Sequence, residues 1–187
     1  RISLRLHLAT VLRFARLNSY YGSPLFLMTL IIALFIVIIA ISFLCSMLEA
    51  VFLSITPPFV AIMEKEGKKS GKLLSHLKDN IDRPISAILT LNTISHTVGA
   101  ATIGALVQDQ FGDGYVTLTS VILTVGILVL SEILPKVLGA TYWKELAPFA
   151  AYTIQFMIFI LYPFVKASEL ISRAFNKRDV YLITREE

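Results

Sequence analysis

The sequence is poor in charge and almost free of cysteine. Only 16% of its 187 residues are Asp, Glu, Lys or Arg, against about 25% in a soluble domain. The single cysteine, Cys45, sits in an apolar run, so no internal disulfide and no paired-cysteine zinc signature is possible. Disordered chains need low hydrophobicity, which 56% hydrophobic residues exclude. A mean hydropathy of +0.73 argues against a soluble enzyme. The first twenty residues lack the continuous apolar core and small-residue cleavage site of a secretory signal. The net charge is +4, but the basic residues flank apolar runs. Membrane topology explains them better than nucleic-acid binding. The expected partner is membrane lipid, with no nucleic acid. The chain starts without Met and stops at Arg185-Glu186-Glu187, which reads as a segment of something longer.

What is present is a set of long apolar runs. Residues 25–55 hold one charge, Glu49, before Pro57-Pro58 stop the run. About 20 such residues suffice to cross the hydrocarbon. Residues 59–83 are charged and glycine-punctuated, with room for two short helices, and read as a polar helical hairpin. A second span is expected over 84–108, opened by Pro84 and rich in Ser, Thr and small residues. A turn follows over 109–114, then a third span over 115–134. Residues 146–165 are also uncharged, yet Pro148 and Pro163 bracket them. Lysine and arginine number six between Pro57 and Pro84, none over 109–114 and seven from Lys136 onward. By the positive-inside rule the hairpin and tail are cytoplasmic and the Asp109 turn is outside. A fourth crossing would carry Lys166, Arg173, Lys177 and Arg178 outside, so 146–165 is read as one or two helices lying along the cytoplasmic face or dipping partway in. The fold class is all-α integral membrane: three transmembrane helices, a cytoplasmic helical hairpin and a juxtamembrane belt-like helix. The N-terminus then lies outside, where Arg1, Arg5, Arg13 and Arg16 alternate with leucines in an amphipathic pattern over 1–24.

Several polar residues stand where polarity is unfavourable. An ionisable group at membrane depth costs at least ~2.5 kcal/mol and is a functional candidate by default. Ser42, Ser46 and Glu49 are spaced i, i+4, i+7, one stripe of the first span; Asn92, His96 and Gly99 repeat the spacing on the second. Ser131 and Glu132 precede Pro135 on the third. Proline has no N–H, and its ring clashes with the carbonyl of Ser131, so the helix must loosen there. No lysine or arginine falls within the three spans as hydropathy bounds them. Hydroxyls, an amide oxygen, a carboxylate and loosened carbonyls are hard donors, suited to Mg2+, Ca2+ or Na+ and not to Zn2+ or Cu+. Spacing does not choose among the three. Taken singly, Ser42 and Ser46 read as serines bonded to their own i−4 carbonyls, and Asn92 and His96 as interhelical glue.

Three motifs occur in order: Ser46-Met47-Leu48-Glu49-Ala50, Thr90-Leu91-Asn92-Thr93, and Glu132-Ile133-Leu134-Pro135-Lys136. Together they resemble the transmembrane domain of the CNNM/CorB/CorC family of magnesium transporters, over about residues 25–187. The resemblance implies a homodimer in which each protomer holds an inward-open, acidic cavity with a dehydrated Mg2+. It implies Ser42, Ser46, Asn92 and Glu132 as metal-binding residues, with Glu49, His96 and Ser131 as additional candidates. His96 stands where family members often have a second asparagine, and Ser131 where a glycine is common. The tail resembles the approach to a cytoplasmic CBS-domain pair that binds ATP in this family. The expected organisation is therefore an N-terminal segment over 1–24, a transmembrane domain over 25–175, and a linker over 176–187 toward those CBS domains.

The expected function is Mg2+ transport at the plasma membrane, a bacterial inner membrane, by alternating access. Export is the expected direction and Na+ a candidate coupling ion; ATP belongs only to the cytoplasmic domains. One rival is a non-transporting, cation-sensing membrane scaffold. The other is an intramembrane enzyme, which needs a nucleophile–base or metal–water pair; the sequence offers only His96 with no evident partner.

Overall fold

The computed structural model describes residues 24–183. The arginine-rich segment before Pro24 and the last four residues lie outside the described residues. Every described element is helical.

Helix α1, Pro24–Ser54, is the first apolar run made continuous by Leu, Ile, Val and Phe. It stops where two prolines cannot extend it; Thr56 is extended, and α2, Pro57–Lys65, restarts with Pro57 in its first turn. Helix α3, Lys69–Asp79, completes the hairpin. Lys78 on α3 donates to the carbonyl of Phe52 at 2.6 Å and lies 4.4 Å above the Phe52 ring. It thus satisfies one of the carbonyls that a helix C-terminus leaves unpaired and fastens the hairpin to α1. This burial holds the Lys78 amine below its usual range.

Helix α4, Asp82–Phe111, has 30 residues and, at 1.5 Å each, is about 45 Å long. The turn expected over 109–114 shrinks to one residue. Gly112 adopts φ 83°, which favours glycine, and α5, Asp113–Gly126, begins at once. A π turn, Ile127–Ile133, continues into α6, Leu134–Thr141. Two stretches are long and apolar enough to cross a membrane on hydropathy, Met28–Ser54 and Asp113–Thr141. Helix α4 is too polar for that measure, yet it joins the hairpin at one end of α1 to Gly112 at the other, so it runs the full depth between them. The third span extends past Leu134 to Thr141, which brings Lys136 inside it.

Helices α7, Trp143–Ile160, and α8, Tyr162–Ile183, meet at a bend of 89°. A bend that sharp makes them two limbs and not one straight fourth span. Helix α7 buries Ala147, Ala150, Ala151 and Ile154 and turns Phe149, Tyr152, Phe156 and Phe159 outward.

The core is in two parts. The larger packs Cys45, Leu48, Val51 and Phe52 of α1 against the hairpin, α4 and α7. The smaller gathers Ile38, Ile103, Val107 and Leu123 nearer Gly112. Between these apolar clusters lies a polar layer, at the level of Ser42 and Ser46.

Candidate cation site

The three stripes read from the sequence meet in that layer. Ser42 and Ser46 of α1 are fully buried, as is Ser131 of the π turn. The Ser42 hydroxyl lies 2.7 Å from Asn92 Oδ1 and 3.0 Å from Ser131 Oγ, and it hydrogen-bonds with His96 Nε2. Ser131 donates its own proton to the carbonyl of Ile127 at 2.7 Å. His96 Nδ1 is 3.9 Å from Glu132 Oε1. Ser42, Asn92, His96, Ser131 and Glu132 are thus neighbours, drawn from three helices.

Proton accounting shows what this arrangement lacks. Ser42 has one proton, and both Asn92 Oδ1 and Ser131 Oγ lie within reach to accept it. Ser131 has already committed its proton to Ile127, and Asn92 Oδ1 has none to give. The further donor is His96, whose Nε2 tautomer would give an N–H to the Ser42 oxygen. Turning the Asn92 amide would bring an N–H to bear; a cation would serve the same oxygens without that turn. Ser46 Oγ stands apart: among the described residues it is the buried side-chain polar atom without a hydrogen-bond partner. A lone buried hydroxyl costs about 1–3 kcal/mol.

The π turn is the local answer to Pro135. The Leu134 N–H bonds to the carbonyl of Val129, five residues back instead of four, which widens the turn just before the proline. Such single π turns recur at functional sites. Here it presents Ser131 to Ser42 while Glu132 faces a cavity of about 380 Å3, lined also by His96, Thr97, Ala100, Thr124, Ile127 and Leu128. The resemblance implies an inward-open cavity. This one extends from Glu132 along residues nearer Gly112, away from the hairpin.

Glu49 belongs to a different contact. Its carboxylate pairs with Lys136 Nζ at 3.3 Å, two turns from Ser42 and one from Ser46, on the hairpin side. The Glu49–Lys136 pair is a partnership that hydropathy bounds hid, because they end the third span before Lys136. Another unforeseen pairing is Arg83 with Glu169, joining the start of α4 to α8. Its signal, an acid on a helix that also carries lysines and arginines, is too common to have singled it out.

Ser42, His96 and Glu132 also stand in nucleophile–base–acid order, the partner for His96 that the sequence did not reveal. Hydrolysis needs an exposed nucleophile and a base held by a true hydrogen bond. Ser42 is fully buried, and 3.9 Å is too long for such a bond. Among the described residues no three His, Cys, Asp or Glu side chains are grouped to hold a metal. The donor set is neutral oxygens and the His96 imidazole around one carboxylate, and the oxygens are the donors that hard cations prefer.

The family model for the cyclin M (CNNM) transmembrane N-terminal domain matches residues 31–187. The chain belongs to the CNNM family. The UPF0053 protein sll1254 of Synechocystis is 34% identical over 150 residues, covering 80% of this chain and 43% of that protein. The Escherichia coli UPF0053 inner membrane protein YfjD is 30% identical over 112 residues, 59% of this chain and 26% of its own length. The metal transporter cnnm-2 of Caenorhabditis elegans is 27% identical over 135 residues, 70% of this chain and 17% of that protein. The chain spans less than half the length of these relatives. Family membership and the all-helical architecture agree that this is a CNNM-type membrane domain.

Proposed function

We propose that this CNNM domain moves Mg2+ across the plasma membrane, in the outward direction, through a site formed by Ser42, Ser46, Asn92 and Glu132 with Ser131 beside them. The observation that carries the reading is the convergence of buried oxygens around Ser42, with Ser46 unpartnered one turn away. The donor chemistry narrows the cargo to Mg2+, Ca2+ or Na+, and the resemblance to magnesium transporters selects Mg2+. The metal-transporter name of the nematode relative supports the same class. Na+ is the candidate driving ion.

Each part of the chain has a role in this reading. Glu132 supplies the one formal negative charge that faces the cavity and draws the cation in. Ser42, Ser46 and Asn92 replace its water as neutral donors. The π turn lets the third span shift without losing all its backbone bonds, as the two faces of an alternating-access site require. The basic residues put the hairpin and tail in the cytoplasm and Gly112 outside. A homodimer, with an ATP-binding CBS pair following the chain, completes the reading.

Two measurements test it. Mg2+ binding by calorimetry should be lost in Glu132→Gln, which keeps the shape and removes the charge; wild-type affinity in that variant overturns the site. Mg2+ flux into or out of liposomes should follow binding. Tight binding with no flux makes the protein a cation-sensing scaffold instead.

A further inference from the structure

Lys136 lies four residues after Glu132 on the same span. Glu followed by Lys at i, i+4 is the favourable order for an ion pair along a helix, so Glu132 is the default partner of this ammonium. The structure pairs it elsewhere: Lys136 Nζ is 3.3 Å from Glu49 Oε2 on α1, while Glu132 faces the cavity beside His96. The Lys136 side chain is half exposed, so it is free to turn about its flexible stem.

We infer that Glu49 is a positioning residue that holds Lys136 away from Glu132 and so keeps the cation site open. The inference rests on the proposed role of Glu132. A lysine paired with Glu132 would be a tethered cation at high local concentration, competing for the carboxylate that the travelling ion needs. It would also repel a divalent ion bound there. Glu49 removes both effects without touching the ion. It sits three residues from Ser46 on the same stripe, so the pair also ties α1 to α6 one turn from the site.

The test is Mg2+ binding by the full chain, measured by calorimetry in four variants. Glu49→Gln frees Lys136 and should weaken Mg2+ binding by about tenfold or more, the scale of one charge pair close to a carboxylate near a protein surface. Lys136→Met alone should bind at least as tightly as wild type. The double variant Glu49→Gln/Lys136→Met should recover wild-type affinity to within about threefold, because the competitor is gone. Glu132→Gln serves as the control for the site itself. A double variant as weak as Glu49→Gln overturns the inference, since Glu49 would then be a ligand in its own right. Unchanged binding in Glu49→Gln overturns it too, whereas unchanged binding in Glu132→Gln sinks the underlying site. If Glu49→Gln does not fold, Glu49→Asp, whose shorter arm reaches Lys136 less well, should show a smaller loss that Lys136→Met again removes.

Discussion

Arg83, in the first turn of α4, donates to the buried carboxylate of Glu169 on α8. Lys166, one turn earlier on α8, lies 3.4 Å from the other carboxylate oxygen. Ser86 to Ser168, at 2.6 Å, and Ser172 to Asp82, at 2.7 Å, extend the seam on either side. This polar seam binds the helix leading out of the domain to the helix that carries Asn92 and His96.

The seam has a pH signature. The hydrogen bond from Arg83 holds the Glu169 carboxyl below its ordinary range, helped by both cations and opposed by burial. A group with a lowered folded-state pKa stabilises above its unfolded value, near 4.3, and loses that contribution as pH falls through the folded value. The melting temperature of Glu169→Gln should therefore lie below wild type at pH 7. The gap should narrow as the pH drops below about 4, because wild type then also carries a neutral acid. Because Arg83 is partly exposed, the loss at neutral pH should be about 1–3 kcal/mol, less than for a fully buried pair. A gap that is constant from pH 7 to 3 would show that the ion pair contributes nothing.

Helix proximity gives a second prediction. Gly139 of α6 meets α1 so closely that a Cβ there would sit 2.7 Å from the carbonyl oxygen of Met47 and 3.0 Å from the Ala50 Cβ. Gly139→Ala must push α6 off α1, with a loss of about 1–3 kcal/mol. Gly104→Ala, with nothing within 4 Å of the added carbon, should be neutral or slightly stabilising, since alanine favours helix. Thermal unfolding in one detergent compares the two; equal melting temperatures would mean that the α1–α6 contact yields without cost.

Membrane orientation is checked by thiol labelling. Cys45 is fully buried, so a cysteine added elsewhere reports alone. Lys68→Cys in the hairpin should react with an impermeant reagent only from the cytoplasmic side, and Gly112→Cys only from outside. Labelling of both from one side would break the argument that α4 crosses the membrane.

The sequence made the helices and their polar stripes legible because each depends on local spacing. Ser42, Ser46 and Glu49 fall on one face by period alone, and the prolines at 57, 58 and 135 act on neighbours within one turn. Relations between helices were not legible in the same way. Ser42 meets His96 across 54 residues and Arg83 meets Glu169 across 86, and both depend on the axial register of packed helices, which no local pattern encodes. From the sequence His96 reads as interhelical glue with no evident partner; in the structure it meets Ser42 and stands 3.9 Å from Glu132, both on other spans. The bent arrangement of α7 and α8 was legible only through charge, since hydropathy alone would have drawn a fourth span there.

The last prediction concerns Pro135, where the sequence foresaw a loosened helix and the structure shows its form. The π turn, Ile127–Ile133, ends just before Pro135, whose ring excludes an ordinary bond to the carbonyl of Ser131. Pro135→Ala restores that N–H and removes the clash, so the ordinary four-residue bond becomes available. Relaxing the π turn would rotate the residues before it by roughly 100°, one α-helical residue step. Ser131 would then turn away from Ser42, and Glu132 away from the cavity. Pro135→Ala should accordingly gain stability, by up to about 3 kcal/mol, the scale of a proline inside a helix. It should lose Mg2+ binding by at least about tenfold, the exchange expected when function depends on a strained element. Melting temperature and calorimetric affinity, measured on the same preparation, should move in opposite directions. If both rise, or affinity is unchanged, the π turn is only the accommodation of a proline and has no part in shaping the site.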